Sequence, residues 1–412
     1  MGLLTRLGFP AVGDHRRFVT AIGVDAIGSG VFMPVSVLYF LRTTAIPLEE
    51  AGLALSVAAA ISLPVVLLVG HLVDLVGAKR VLLAANAIQA VGYAGYLLVE
   101  ARWQMQVVTA LVAIGQAAFW ASYSPTVAAI TRPGERELWY GFLGALRNLG
   151  FAVGGLVAGL AITIGTSTAF HLVVAADAAS YVLALVLLLG VPAHAPVRSG
   201  ERANPLAGLT MVLRDRPFGA LIVANGGYAL CGLALNYAMP IYAAEMLRLP
   251  GWVTGAIFTI NTVMVGLGQG LVVRAMTGHR RHRVMALANV AYAVGFVVMA
   301  AAGWLPVGAA VVGVLVATVV YTLGELLGGP VLTTVAVDSR PAELRGRYMA
   351  AYQLSWNLAS IVGPVGFAWL LARGPAPVWV VLTVVSLAGV AMAPLLARVL
   401  PVAAARVTNA AS

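Results

Sequence analysis

Gly70-His-Leu-Val-Asp74-Leu-Val-Gly77-Ala-Lys79-Arg80 joins two apolar runs, and its reading decides the fold. A carboxylate, two glycines and two adjacent cations are packed into a connection too short to leave a membrane surface. Gly70 lets a neighbouring helix approach closely. Asp74 can accept from backbone N–H groups at a helix end, and Lys79 and Arg80 sit where cytoplasmic positive charge is expected.

The rest of the chain agrees. It has 412 residues, 61% of them hydrophobic and 10% charged, with a mean hydropathy of +0.95, whereas about a quarter of an ordinary soluble chain is charged. This is the composition of a polytopic membrane protein whose constant partner is the lipid bilayer. A formal charge of +10 would suit nucleic acid only if the cations clustered on one solvated face; they do not, so no nucleic-acid partner is expected. The single cysteine, Cys231, lies in an apolar stretch and reads as a small buried hydrophobe. Asp14, His15, Arg16 and Arg17 precede the first apolar run, which reaches Leu41. That run is too long for a signal-peptide core and is expected to stay in the membrane.

A hydrocarbon core takes about twenty apolar residues per helix. Twelve runs qualify, near 18–41, 51–73, 80–99, 105–129, 139–163, 168–190, 217–243, 252–274, 284–303, 307–333, 346–371 and 376–398. An even number puts both termini on one side, and the loop cations choose the cytoplasm: 20 Lys and Arg fall in inside segments and 4, at Arg42, Arg102, Arg248 and Arg373, outside. The longest polar interruption divides the chain into a first six-helix bundle at 1–191, a cytoplasmic linker at 192–216 and a second bundle at 217–412. The halves repeat. Arg132-Pro133-Gly-Glu135, with Tyr140 and Leu146, recurs as Arg340-Pro341-Ala-Glu343, with Tyr348 and Leu354, at a constant offset of 208; Gly70 to Asp74 recurs as Gly270 to Arg274, followed by Arg280, Arg281 and Arg283.

The loop, the span count and the repeat resemble the major facilitator superfamily. Gly70, Asp74, Gly77, Lys79 and Arg80 match its gate motif between the second and third helices, although Leu75 stands where an Arg is usual and Ala78 where another basic residue is common. The resemblance implies an all-α membrane protein of 12 transmembrane helices in two pseudo-symmetric bundles, with a central cavity opening alternately to either face. It also implies a latch at Asp74 that holds only while the cytoplasmic side is closed. Arg132, Arg136, Arg340 and Arg345 read equally well as anchors at the lipid headgroups.

Ionisable residues inside a span cost several kcal/mol unless they pair or face water. Four qualify: Asp25, Arg147, Asp177 and Glu325. At about 1.5 Å per residue, Asp25 lies roughly 10 Å into the first span and Arg147 roughly 12 Å into the fifth, with Glu325 at similar depth in the tenth. Asp25, Glu325 and Arg147 are the proton-coupling candidates, since a carboxylate poised between apolar neighbours and a nearby Arg can load a proton on one face and release it on the other. Asp177, on the sixth span, reads as a carboxyl hydrogen-bonded to a neighbouring helix or as an uncharged buried one.

Leu146-Arg147-Asn148-Leu149-Gly150, Gly324-Glu325 and Arg345-Gly-Arg-Tyr348 resemble the proton-coupled multidrug branch, of the lactococcal multidrug transporter type. Two departures stand out: no Arg lies in Leu111 to Gln116, and Val153-Gly154 replaces the usual Gly-Pro of the fifth helix. The cavity candidates are Gln116, Trp120 and Tyr123 on one face of the fourth span, Asn148 on the fifth, Tyr228, Asn236 and Tyr237 on the seventh, Tyr321 on the tenth, and Tyr352, Trp356 and Asn357 on the eleventh. Aromatics with scattered amides suit a drug-sized amphipathic ligand, and two carboxylates against one Arg favour a lipophilic cation. No Walker loop is present, so a proton gradient is the expected energy source, with no cofactor and no metal. His279 and His282 with Arg280, Arg281 and Arg283 read as a cytoplasmic loop that binds headgroups.

The expectation is a monomeric secondary transporter of a bacterial cytoplasmic membrane, not an enzyme, exporting lipophilic or cationic drugs or small amphipathic metabolites with proton coupling, as in antibiotic resistance. A proton-coupled uptake symporter or flippase for an amphipathic metabolite is the alternative. A non-transporting receptor or scaffold is a second.

Overall fold

The computed structural model describes residues 12–131, 136–192, 216–338, 345–399 and 405–407. The repeated motifs at 132–135 and 340–343, and all but the ends of the linker at 192–216, lie outside them. The described residues form twelve helices and no strand. In the first half these are α1 (Arg16–Phe32, prolonged through a turn at Met33–Val35 into Ser36–Thr43), α2 (Leu48–Val76), α3 (Ala78–Tyr96), α4 (Arg102–Ile130), α5 (Arg136–Ile164) and α6 (Ser167–Leu189). In the second they are α7 (Arg216–Leu233, prolonged by Ala238–Ile241), α8 (Trp252–Met276), α9 (Arg281–Ala302), α10 (Val307–Asp338), α11 (Arg345–Ala372) and α12 (Pro377–Val399).

Eleven of these are long and apolar enough to cross a membrane, one fewer than the apolar runs suggest. The exception is α3, where Lys79, Arg80, Asn86 and Gln89 lower the hydropathy. Two of its polar groups are satisfied within the helix: Asn86 donates to the Leu82 carbonyl at 2.8 Å and Gln89 to Ala85 at 3.5 Å. Such bonding to the preceding turn lets an amide sit in an apolar bundle without an orphaned donor.

Gly77 separates α2 from α3. Its φ of 90° is open to glycine and strained for other residues, and its N–H still closes α2 on the Val73 carbonyl at 3.0 Å. Prolines mark other bends. Pro34 lies in the turn that interrupts α1, and Pro330 lies inside α10, where its missing N–H leaves the Leu326 carbonyl without a helical donor. Gln269 of α8 donates to that carbonyl instead, at 3.1 Å.

By its contacts the chain divides into two compact units, Met1–Gly200 with Thr254–Thr262, and Glu201–Val253 with Val263–Ser412. In the first, α1 packs on α5 and α6, and α3 on α4 and α6; in the second, α7 packs on α11 and α12, and α9 on α10 and α12. One packing order is thus repeated six helices later. The α2–α4 packing of the first unit has no equally extensive α8–α10 counterpart. Outward-facing Leu98, Leu172, Leu267 and Trp304 are largely exposed, as surfaces that meet acyl chains rather than water must be.

Candidate functional site

The first unit contains a buried ion pair. Arg147 Nη1 on α5 donates to Asp25 Oδ2 on α1 at 2.8 Å, with the residues 9% and 3% exposed. Small residues make the reach possible. Gly150 and Gly154 form a Gly-x-x-x-Gly step on α5; a methyl group on Gly150 would come within 2.7 Å of Ala26 Cβ, and one on Gly154 would strike the Gly30–Val31 backbone. Such a step lets two backbones touch, which brings a short Asp side chain onto the guanidinium.

Aromatic faces enclose the remainder of the cation. Arg147 Cζ lies 4.7 Å from the Trp120 ring centroid, 5.3 Å from Phe151 and 5.5 Å from Phe119. Cation–π attraction strengthens as water is removed, so the rings partly replace the hydration that burial takes away. Trp120 is itself 49% exposed, and Gln116, one turn before it, is exposed as well. Tyr123 differs: it stacks on Phe119 at 5.6 Å within the apolar core of the unit. The stripe expected on α4 therefore splits into an outer pair and a packing residue. Asn148, beside Arg147, is half-buried.

Composition alone does not reveal the polar cluster behind the pair. The Tyr181 hydroxyl of α6 meets Ser29 of α1 at 3.0 Å and also interacts with Asp25. Its ring stacks on Tyr93 of α3 at 5.3 Å. Asp177, one turn before Tyr181, is fully buried; Ser180 donates to its Oδ1 at 3.5 Å, and Oδ2 has no partner among the described residues. The available signal was spacing, since Ser29 follows Asp25, and Tyr181 follows Asp177, by one turn each.

In the gate loop, Gly70 and Asp74 belong to α2, but their side chains lie outside the described residues. Arg80 is exposed. Lys79 donates to the carbonyls of Leu189, at 3.1 Å, and Val191, and Arg17 donates to Gly190 at 3.3 Å. Both cations therefore sit on the free carbonyls that end α6, where positive charge is favoured.

The second unit gathers a different set. Glu325 of α10 lies near Tyr228, Tyr292 and Tyr321. The Tyr228 hydroxyl donates to the Glu325 carbonyl oxygen at 2.9 Å; its ring lies 5.3 Å from Tyr292 and 6.3 Å, edge-on, from Trp356. Tyr321 is wholly buried and donates to Gly232 at 2.7 Å, tying α10 to α7. Tyr352 is buried with its hydroxyl 3.3 Å from Thr333. Trp356, Asn357, Asn236 and Tyr237 are half-buried, the last two in the turn that interrupts α7. Of the residues expected to line a cavity here, Tyr228, Tyr321 and Tyr352 thus hold helices together. Asn225, fully buried, donates to Ser355 Oγ at 2.5 Å. Among the described residues no three His, Cys, Asp or Glu side chains gather in a metal-binding group.

Comparison with known proteins gives this geometry its context. Residues 18–364 match the family model of the Major Facilitator Superfamily. Curated relatives include a multidrug resistance protein MdtH of Edwardsiella ictaluri (strain 93-146), 24% identical over 78% of this chain and 79% of that protein. The class G tetracycline resistance protein of Vibrio anguillarum is 26% identical over 85% and 88%. Among solved structures, the nucleoside transporter NupG superposes with a TM-score of 0.78 at 13% identity, covering 92% of this chain and 98% of that one. A peptide transporter POT in complex with sulfate gives 0.73 at 16%, covering 93% and 95%. The chain belongs to the major facilitator superfamily and is a multi-pass membrane transporter of a small molecule, not an enzyme.

Proposed function

We propose that this chain is a proton-coupled exporter of lipophilic, often cationic compounds, working by alternating access with both termini in the cytoplasm of a bacterial cell and all twelve helices in its cytoplasmic membrane. The observation that carries this reading is the Asp25–Arg147 pair with its exposed Trp120 lid. A proton reaching Asp25 neutralises the carboxylate and frees the guanidinium. The cluster then changes from neutral to singly positive, which repels a bound organic cation and draws the Arg147 head toward Trp120 and Gln116. Glu325, half-buried on α10, is the second proton carrier, in the other unit, and its carboxylate supplies charge to an organic cation. The multidrug and tetracycline resistance named in the relatives supports the substrate class. Protons are the energy source, no cofactor is required, and the working form is a monomer whose bundles are 1–191 and 217–412 with a linker between them. Asp74 acts as the latch of the gate loop.

The absence of an Arg in Leu111 to Gln116 and of a Gly-Pro at Val153-Gly154 favours a second reading, proton-coupled uptake or flipping of an amphipathic metabolite. Proteoliposomes with an imposed pH gradient and a panel of cationic, neutral and zwitterionic compounds distinguish the two. Export predicts that cations move against the proton flow and that zwitterions do not. Co-movement of solute with protons would establish uptake instead, and indifference to the gradient would remove both.

A further inference from the structure

At one end of the second unit, an open surface hollow of about 370 Å³ is lined by Gly278, His279, Arg280, Arg283 and Arg406. Its construction is specific. Residues 405–407, from beyond α12, pair antiparallel with the α8–α9 loop: Gly278 N–H donates to the Val407 carbonyl at 2.8 Å, Val407 N–H to His279 at 2.9 Å and Arg281 N–H to Ala405 at 2.9 Å. Arg406 Nη1 adds a bond to the Gly278 carbonyl at 2.8 Å. Backbone pairing thus holds three guanidinium groups around one hollow, and among the described residues no carboxylate pairs with Arg280, Arg283 or Arg406. The N-terminus of α9 opens at the same place, and the N-cap residue Arg280 has no side-chain capping bond, so the positive end of the helix adds to the field. The corresponding loop of the first unit has spent its Lys79 on the α6 carbonyls.

The outer face of α9 shows what reaches this hollow. Arg283 is followed at helical spacing by Leu287, Val290, Val294 and Val297, all exposed, a stripe suited to acyl chains that begins directly beneath the cations. We propose that this hollow binds the phosphate of an anionic phospholipid, whose tails lie along the Leu287–Val297 stripe while its headgroup joins residues 405–407 to the α8–α9 loop.

Native mass spectrometry of the purified full chain in detergent, with added phosphatidylglycerol, phosphatidylcholine or glycerol 1-phosphate, tests this. One phosphatidylglycerol should be retained at least tenfold more strongly than phosphatidylcholine, and millimolar glycerol 1-phosphate should not displace it. Arg283→Gln with Arg406→Gln should weaken retention about thirtyfold, equivalent to about 1 kcal/mol for each arginine. Val407→Pro keeps every charge but removes the N–H given to His279, and should weaken retention comparably with an unchanged melting temperature in lipid-free detergent. Unchanged retention in Val407→Pro would overturn the site in favour of diffuse attraction. Displacement by glycerol 1-phosphate would overturn the lipid in favour of a soluble phosphate, and equal retention of the two lipids would overturn both.

Discussion

The two units use one packing order for opposite electrostatics. Asp25 and Asn225 are 200 residues apart, the spacing that carries Gly70 onto Gly270; Arg147 and Ser355 are 208 apart, the spacing that carries Arg132 onto Arg340. The first unit's buried ion pair between α1 and α5 therefore corresponds to the second unit's buried Asn225–Ser355 hydrogen bond between α7 and α11. The reverse holds one pair of helices away. Trp120 stands five residues before Pro125 in α4, and Glu325 five before Pro330 in α10. Where the first unit places an aromatic lid, the second places a carboxylate. A neutral pair is enough to join these helices, so the charges on α1 and α5 are not required by the fold. That is the strongest physical support for the transport role proposed for them.

The comparison breaks most sharply at the pair itself. Asp25→Asn or Arg147→Gln leaves one buried charge uncompensated and should cost about 3–5 kcal/mol, whereas removing both charges is far milder. The double variant imitates the neutral pair of the second unit, so it should recover most of the folded yield while gradient-driven transport stays lost. Asn225→Ala should cost only about 1–3 kcal/mol, the loss of a buried hydrogen bond. Thermal unfolding in detergent, read as a double-mutant cycle, measures the stabilities, and flux into proteoliposomes measures the transport. Additive losses at Asp25 and Arg147 would show that the two residues are not coupled.

A second expectation sharpens the contrast at α10. Glu325→Gln keeps the side chain's size and leaves the backbone carbonyl that accepts from Tyr228, so the variant should still fold. Gradient-driven accumulation should vanish while ligand binding persists, since an amide cannot exchange a proton. Unchanged flux at equal expression would remove Glu325 from the coupling pathway.

How far the sequence was legible follows from range. The hairpin at Gly70–Arg80, the six-helix repeat and the matched depths of Asp25 and Arg147 are local or periodic features, and periodicity survives in a linear string. The role of Lys79 is not local. Its partners, Leu189 and Val191, are backbone carbonyls more than a hundred residues away, and carbonyls leave no mark on side-chain identity. Tyr123, Tyr228 and Tyr321 were legible as faces of helices, yet spacing does not say whether a face meets a cavity or a neighbouring helix. Asp177 is legible as an intramembrane charge, but the Tyr93–Tyr181 stack beside it is not, since those rings come from α3 and α6 and meet only through packing.

The smallest effect separates the two loops. Lys79→Met withdraws the cation from the carbonyls at the end of α6, a loss of about 1 kcal/mol for a helix-terminal charge of this kind. Arg283→Gln, in the first turn of α9 as Lys79 is in the first turn of α3, removes no carbonyl contact among the described residues and relieves repulsion among Arg280, Arg283 and Arg406, so in lipid-free detergent it should be neutral or slightly stabilising. High salt should narrow the gap, because exposed charges lie within reach of screening. Equal destabilisation by both changes would mean that the loops are held alike, and that the α6 carbonyls are not what sets Lys79 apart.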